Sequence, residues 1–119
     1  LDNIKKSFNK YTNLLPNKGI LVKNNDDINS IGVENNSKGK MITYGINNKS
    51  DYMAKNINTN EFGHYSFDVY NKEKELCRIN LNISGIHNVY NALAALSVAV
   101  ELEIHIDEIK NGISNFKKL

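Results

Sequence analysis

Cysteine is almost missing from this 119-residue chain, tryptophan is missing altogether, and proline occurs once. A lone Cys77 excludes an internal disulfide, which fits a reducing cytosol. It lies in the alternating run Glu75-Leu76-Cys77-Arg78-Ile79-Asn80-Leu81, with no histidine beside it. That is the setting of a small packed thiol rather than of a nucleophile. No apolar run reaches the length of a membrane span, and no signal-peptide pattern follows Leu1. The formal charge of +2 comes from scattered lysines interrupted by acids, which excludes the clustered cations that a nucleic-acid partner requires. Gly19, Gly32, Gly39, Gly45 and Gly63 fit neither the dinucleotide-binding spacing nor a Walker A loop, and no Gly-Lys-Thr or Gly-Lys-Ser occurs. A phosphate-cradling loop is therefore absent from these residues.

The length allows one domain or a piece of one, with enough apolar residues for a core. The chain opens on Leu1 rather than Met, which carries the expectation that it begins inside a longer protein. Ile4, Phe8, Tyr11, Leu14 and Leu15 recur at helical spacing, so a helix is predicted over 3–15, ended by Pro16-Asn17-Lys18-Gly19. Residues 19–24 and 40–45 are short apolar runs of strand length, the first in the form of a buried parallel strand. From Asp51 to Ile83 the period becomes two, interrupted at Asn60-Glu61-Phe62-Gly63 and at Asn71-Lys72-Glu73-Lys74, which predicts a three-stranded antiparallel meander. Helices are predicted over 88–102, apolar nearly all round and so covered on more than one side, and over 106–116. The latter has an Ile106, Ile109, Ile113 and Phe116 stripe, with Asp107 and Glu108 in its first turn. Asparagine pairs such as Asn24-Asn25, Asn35-Asn36 and Asn47-Asn48 fall between the periodic segments, where turns belong.

The chemistry concentrates in Gly85-Ile86-His87-Asn88-Val89-Tyr90-Asn91. A glycine ends a strand, and two carboxamides at i and i+3 share one face of the helix that follows. A carboxamide accepts from an exocyclic amine while donating to a ring nitrogen, the pairing that suits adenine. Asparagine is equally a favoured helix cap, and either Asn88 or Asn91 in that role would satisfy free N–H groups of the first turn. His87 stands at the same corner, with packing, capping or phosphate contact as its options. His64 and His105 are isolated. Asp26 and Asp27 follow a strand, where α/β sheets place functional carboxylates; capping of the next short helix competes with magnesium binding there.

Gly85 to Ala95, followed by Ala99-Val100-Glu101-Leu102, resembles the G-x-H-N-x-x-N-A-L-A-A signature of the Mur ligases, ATP-dependent amide-forming enzymes of peptidoglycan synthesis. Asn24-Asn25-Asp26-Asp27 is similar to their N-x-D-D segment, Thr43-Tyr44-Gly45 to T-Y-G, and Asp51-Tyr52-Met53-Ala54 to D-x-x-A. The resemblance implies an α/β fold: the second half of a central ATP-binding domain, with parallel-type strands, flanking helices and a small three-stranded antiparallel sheet. It implies ATP and magnesium as cofactors, with Asn88 and Asn91 contacting the base and His87 in the same site. A Walker A loop and the magnesium ligands are expected before Leu1, and an amino-acid-binding domain after Leu119, so the fragment is expected to be inactive alone. The T-Y-G segment and the H-N-V-x-N-A-L-A-A form most resemble the branch that joins UDP-N-acetylmuramate to L-alanine in the bacterial cytoplasm. The D-glutamate-adding and murein-peptide branches, a folylpolyglutamate-synthase-like enzyme and a non-catalytic nucleotide-binding domain are the alternatives. Glu103 departs from the family, which usually has glycine there to end the helix in a left-handed turn.

Overall fold

The computed structural model describes residues 20–27 and 40–115. The helix predicted over 3–15 and the Phe116 end of the last stripe lie outside them. Within them runs one five-stranded sheet in the order β1 (Ile20–Asn24), β2 (Lys40–Gly45), β3 (Tyr52–Thr59), β4 (His64–Asn71), β5 (Lys74–Ser84). The pairs β1–β2 and β2–β3 are parallel, and β3–β4 and β4–β5 antiparallel. The sequence separates parallel strands from a meander; the structure joins them through the short ladder Tyr44↔Tyr52 and Gly45↔Met53. Two side-chain bonds hold that join. Thr43 N donates to Asp51 Oδ2 (3.0 Å), and Asp51 N donates to Thr43 Oγ1 (2.9 Å).

Alternation in the meander places Tyr52, Ala54, Phe67, Val69, Ile79, Leu81 and Ile83 on one buried face. Against it pack α1 (His87–Glu101), through Val89, Leu93 and Leu96, and α2 (Ile106–Ser114), through Ile109. The apolar girth of α1 is used by the sheet on one side and α2 on its flank. β1 is half-buried along its length rather than enclosed; among the described residues β2 and α1 pack against it. His105 caps α2, its Nδ1 accepting from Asp107 N (3.2 Å), and Asp107 and Glu108 complement the helix dipole. The β4–β5 connection is a two-residue turn with Lys72 and Glu73 both at positive φ, the backbone of a type I′ hairpin.

α1 ends in the left-handed turn that Glu103 makes costly. Glu103 has φ 62°, its N–H donates to Val100 O (2.9 Å), and Ile104 N donates to Ala99 O (3.0 Å). This is a Schellman motif with glutamate at the position that favours glycine. The helix therefore does not end differently; it carries the strain of a side chain in that region. Glu103→Gly is expected to stabilise the protein by about 1 kcal/mol, the Cβ penalty less the added chain entropy of glycine. A rise in the thermal midpoint checks this; an unchanged or lower midpoint contradicts it.

Candidate functional site

The corner between β5 and α1 depends on Gly85. Its φ is +103°, and a Cβ there would lie 2.8 Å from His87 Cε1 and 3.0 Å from Nδ1. The glycine thus lets the chain reverse while the exposed imidazole of His87 lies over it. Among the described residues that imidazole makes no side-chain hydrogen bond.

Neither asparagine caps the helix. Ile86 occupies the N-cap position without a side-chain bond, and the first-turn N–H groups of Asn88 and Val89 donate to Gly85 O (3.1 Å) and Ile86 O (2.9 Å). The capping expectation fails because the turn satisfies these donors with its own carbonyls. Asn88, only 9% exposed, instead donates from Nδ2 to Ser84 O (2.7 Å), tying α1 to the end of β5. Its Oδ1 accepts from Asn91 Nδ2 (3.4 Å), and Asn91 is exposed. The buried amide is held by the main chain and in turn orients the exposed one.

Both amides border a cavity of about 360 Å³. Leu81 and Ile83 of β5 supply apolar walls, Ala92 and Ala95 continue along α1, and Gly112 and Ile113 of α2 complete it. A Cβ on Gly112 would meet nothing within 4 Å, so that side of the slot is open space. An apolar slot with a few fixed polar groups is the usual form of a small-molecule site. Here the polar groups are two carboxamides, which match a heterocycle carrying a donor beside an acceptor.

A second cluster fixes where this corner sits. Asp26, just beyond β1, accepts from three consecutive backbone amides after β2: Ile46 N (2.6 Å), Asn47 N (3.0 Å) and Asn48 N (2.8 Å). It also accepts from Tyr90 Oη (2.8 Å) on α1. Burial pulls the Asp26 carboxyl upward, but these donors together outweigh it, and the group sits below its ordinary 3.8. Burial and the Asp26 charge push the Tyr90 hydroxyl up to about 12. Gly45 permits the approach: a Cβ there would lie 2.7 Å from Ser50 Oγ and 3.1 Å from Asp26 Oδ1. Asp26 therefore caps the turn after β2, and both of its oxygens are filled by N–H and O–H donors. Sequence reasoning weighed Asp26 for a helix cap or a cation and gave Tyr90 no role. The signal available was a tyrosine inside a polar helix start, one position before Asn91.

The remaining family-like segments hold the fold together. Tyr52 Oη donates to Glu101 Oε2 (2.6 Å), and Lys40 pairs with the same carboxylate. Cys77 is half-buried and its thiol is pushed up by that burial, in keeping with a packed thiol.

A profile of the Mur ligase middle domain matches residues 1–99, and the chain belongs to that family. It is 42% identical over 117 residues to the UDP-N-acetylmuramate–L-alanine ligase of Caldanaerobacter subterraneus subsp. tengcongensis, covering 98% of this chain and 25% of that protein. The protein of the same name from Caldicellulosiruptor saccharolyticus is 45% identical over 117 residues, covering 98% and 26%. The chain thus spans about a quarter of these relatives. The crystal structure of MurF from Acinetobacter baumannii superposes with a TM-score of 0.83 at 19% identity, over 99% of this chain and 25% of that one. That likeness fixes the α/β fold.

Proposed function

We propose that this chain is the second half of the central, ATP-binding domain of a UDP-N-acetylmuramate–L-alanine ligase acting in the bacterial cytoplasm. Its task there is to seat the adenine of ATP. In such an enzyme ATP activates the carboxylate of UDP-N-acetylmuramate as an acyl phosphate, which the amine of L-alanine attacks. The phosphate loop, the magnesium ligands and the amino-acid site lie on residues outside this chain. What these residues contribute is orientation. The base enters the slot between α1 and α2, Asn91 and Asn88 meet its hydrogen-bonding edge, and His87 flanks it. The observation that carries the reading is the amide pair at the mouth of an apolar slot, with Asn88 anchored on Ser84 and presenting Asn91. The Tyr90–Asp26 bond also sets the first turn of α1 beside the carboxyl end of β1, the end of an open α/β sheet at which nucleotides bind.

The test uses the intact protein. Asn91→Ala is expected to raise the KM for ATP about five- to tenfold, the equivalent of one hydrogen bond worth about 1 kcal/mol. The KM for L-alanine should change less than about twofold. An unchanged KM for ATP with a lowered thermal midpoint would make Asn91 a structural residue only. Turnover with D-glutamate, a peptide or a folate but not L-alanine would assign the protein to another branch.

A further inference from the structure

We propose that Tyr90 and Asp26 are positioning residues for the nucleotide: their hydrogen bond sets the angle at which the first turn of α1 presents Asn91. The inference rests on the adenine-seating reading above. Three observations carry it. The first turn has no side-chain cap, so its placement depends on tethers made elsewhere. Asn88 provides one tether, to Ser84 at the end of β5. Tyr90 provides the other, to Asp26 just beyond β1. Residues 88 and 90 lie on opposite sides of Asn91's own direction around the helix, so together they fix its rotation.

The anchor at the far end is rigid. Asp26 is held by the amides of Ile46, Asn47 and Asn48, and Asn24 Oδ1 accepts from its backbone N–H (2.9 Å). Asn25 N donates to Tyr44 O (2.9 Å) and Asn48 Nδ2 to Asn25 O (2.9 Å), so the ends of β1 and β2 move as one body. Without the tyrosine bond, α1 keeps its packing and its Glu101 contacts, but its first turn loses one of its two side-chain tethers. A side-chain amide stands about 5 Å from the helix axis, so a rotation of about 10° displaces it by roughly 1 Å. Displacements of that size weaken a directional contact severely.

The experiment is a double-mutant cycle in the intact protein with Tyr90→Phe, Asn91→Ala and the pair, read as KM for ATP against KM for L-alanine. Tyr90→Phe removes only the hydroxyl, and is expected to raise the KM for ATP about three- to tenfold with kcat at saturating ATP within about twofold. In the Asn91→Ala background the same change should add less than about twofold, because the group it positions is gone. The Glu103→Gly background, expected to be more stable, should leave the Tyr90→Phe effect in place. Full additivity of Tyr90→Phe and Asn91→Ala would overturn the inference. So would a normal KM for ATP in Tyr90→Phe accompanied only by a lower thermal midpoint. If Asn91→Ala raises the KM and Tyr90→Phe does not, the positioning role alone falls. If Asn91→Ala leaves it unchanged, the adenine-seating reading falls and this inference with it.

Discussion

Asp26→Ala is expected to destabilise the intact protein by about 3 kcal/mol, the largest single effect we foresee. The carboxylate satisfies four donors at once, and leaving a buried donor unpaired costs about 1–3 kcal/mol. The four losses are unequal. Asn47 and Asn48 are exposed, and water replaces the carboxylate there at little cost; Ile46 and Tyr90 are half-buried and supply most of the penalty. Asp26→Asn should recover little, because one acceptor becomes an NH2 group directed at other donors. The effect has a pH signature. The folded carboxyl titrates below its ordinary 3.8, so its stabilisation is complete above that value and is lost as pH falls through the lower folded value. The stability gap between wild type and Asp26→Ala should therefore be widest at neutral pH and narrow as pH falls below 3.8. Denaturation at pH 7 and at stepwise lower pH through the acid range measures it; a loss below about 1 kcal/mol at pH 7, or a gap that widens in acid, would contradict the clamp.

That clamp has no local signature in the sequence. Elements were legible because each has its own local period: the alternation of Phe67, Val69, Ile79, Leu81 and Ile83 and the 3.6-residue spacing of Val89, Leu93 and Leu96 place their own faces. The strands at 40–45 and the two closing helices fall within a residue or two of expectation. The continuity of the sheet was not legible, since it rests on two residue pairs and on Thr43 meeting Asp51 eight positions away. Within the site, Asn88 and Asn91 were found by their spacing, yet their division of labour depends on burial, which spacing does not encode. Asp26 and Tyr90 are 64 residues apart, and nothing local to either announces the other. Several residues of the family-like segments hold the frame. Gly45 makes room for Asp26, Asp51 joins β2 to β3, and Glu101 secures the far end of α1.

Glu101→Ala is the second large expectation, at about 2 kcal/mol of lost stability. Two partners compete to explain it. Lys40 is 62% exposed in its pair with Glu101, and an ion pair so open to water adds little to stability. Tyr52 is fully buried, so removing the carboxylate strands its hydroxyl, at about 1–3 kcal/mol. A negative charge in the last turn opposes the helix dipole, and its removal returns a few tenths of a kcal/mol, near the low end of the roughly 0.3–1 kcal/mol scale of such effects. The tyrosine bond therefore decides the sign and most of the size. Lys40 and then Tyr52 hold the Glu101 carboxyl below its ordinary 4.5, so this contribution too is full above that value and disappears as pH falls through the folded one. In a Tyr52→Phe background, where no hydroxyl is left to strand, Glu101→Ala should cost less than about 1 kcal/mol. Lys40→Ala should cost less than Glu101→Ala in every background. The kinetic expectation separates the two ends of α1. Glu101 anchors the turn farthest from Asn91, so its loss should lower the thermal midpoint while the KM for ATP stays within about twofold. A raised KM for ATP in Glu101→Ala would mean that α1 moves as a rigid rod from either end, and that its first turn is not set by the bond to Asp26.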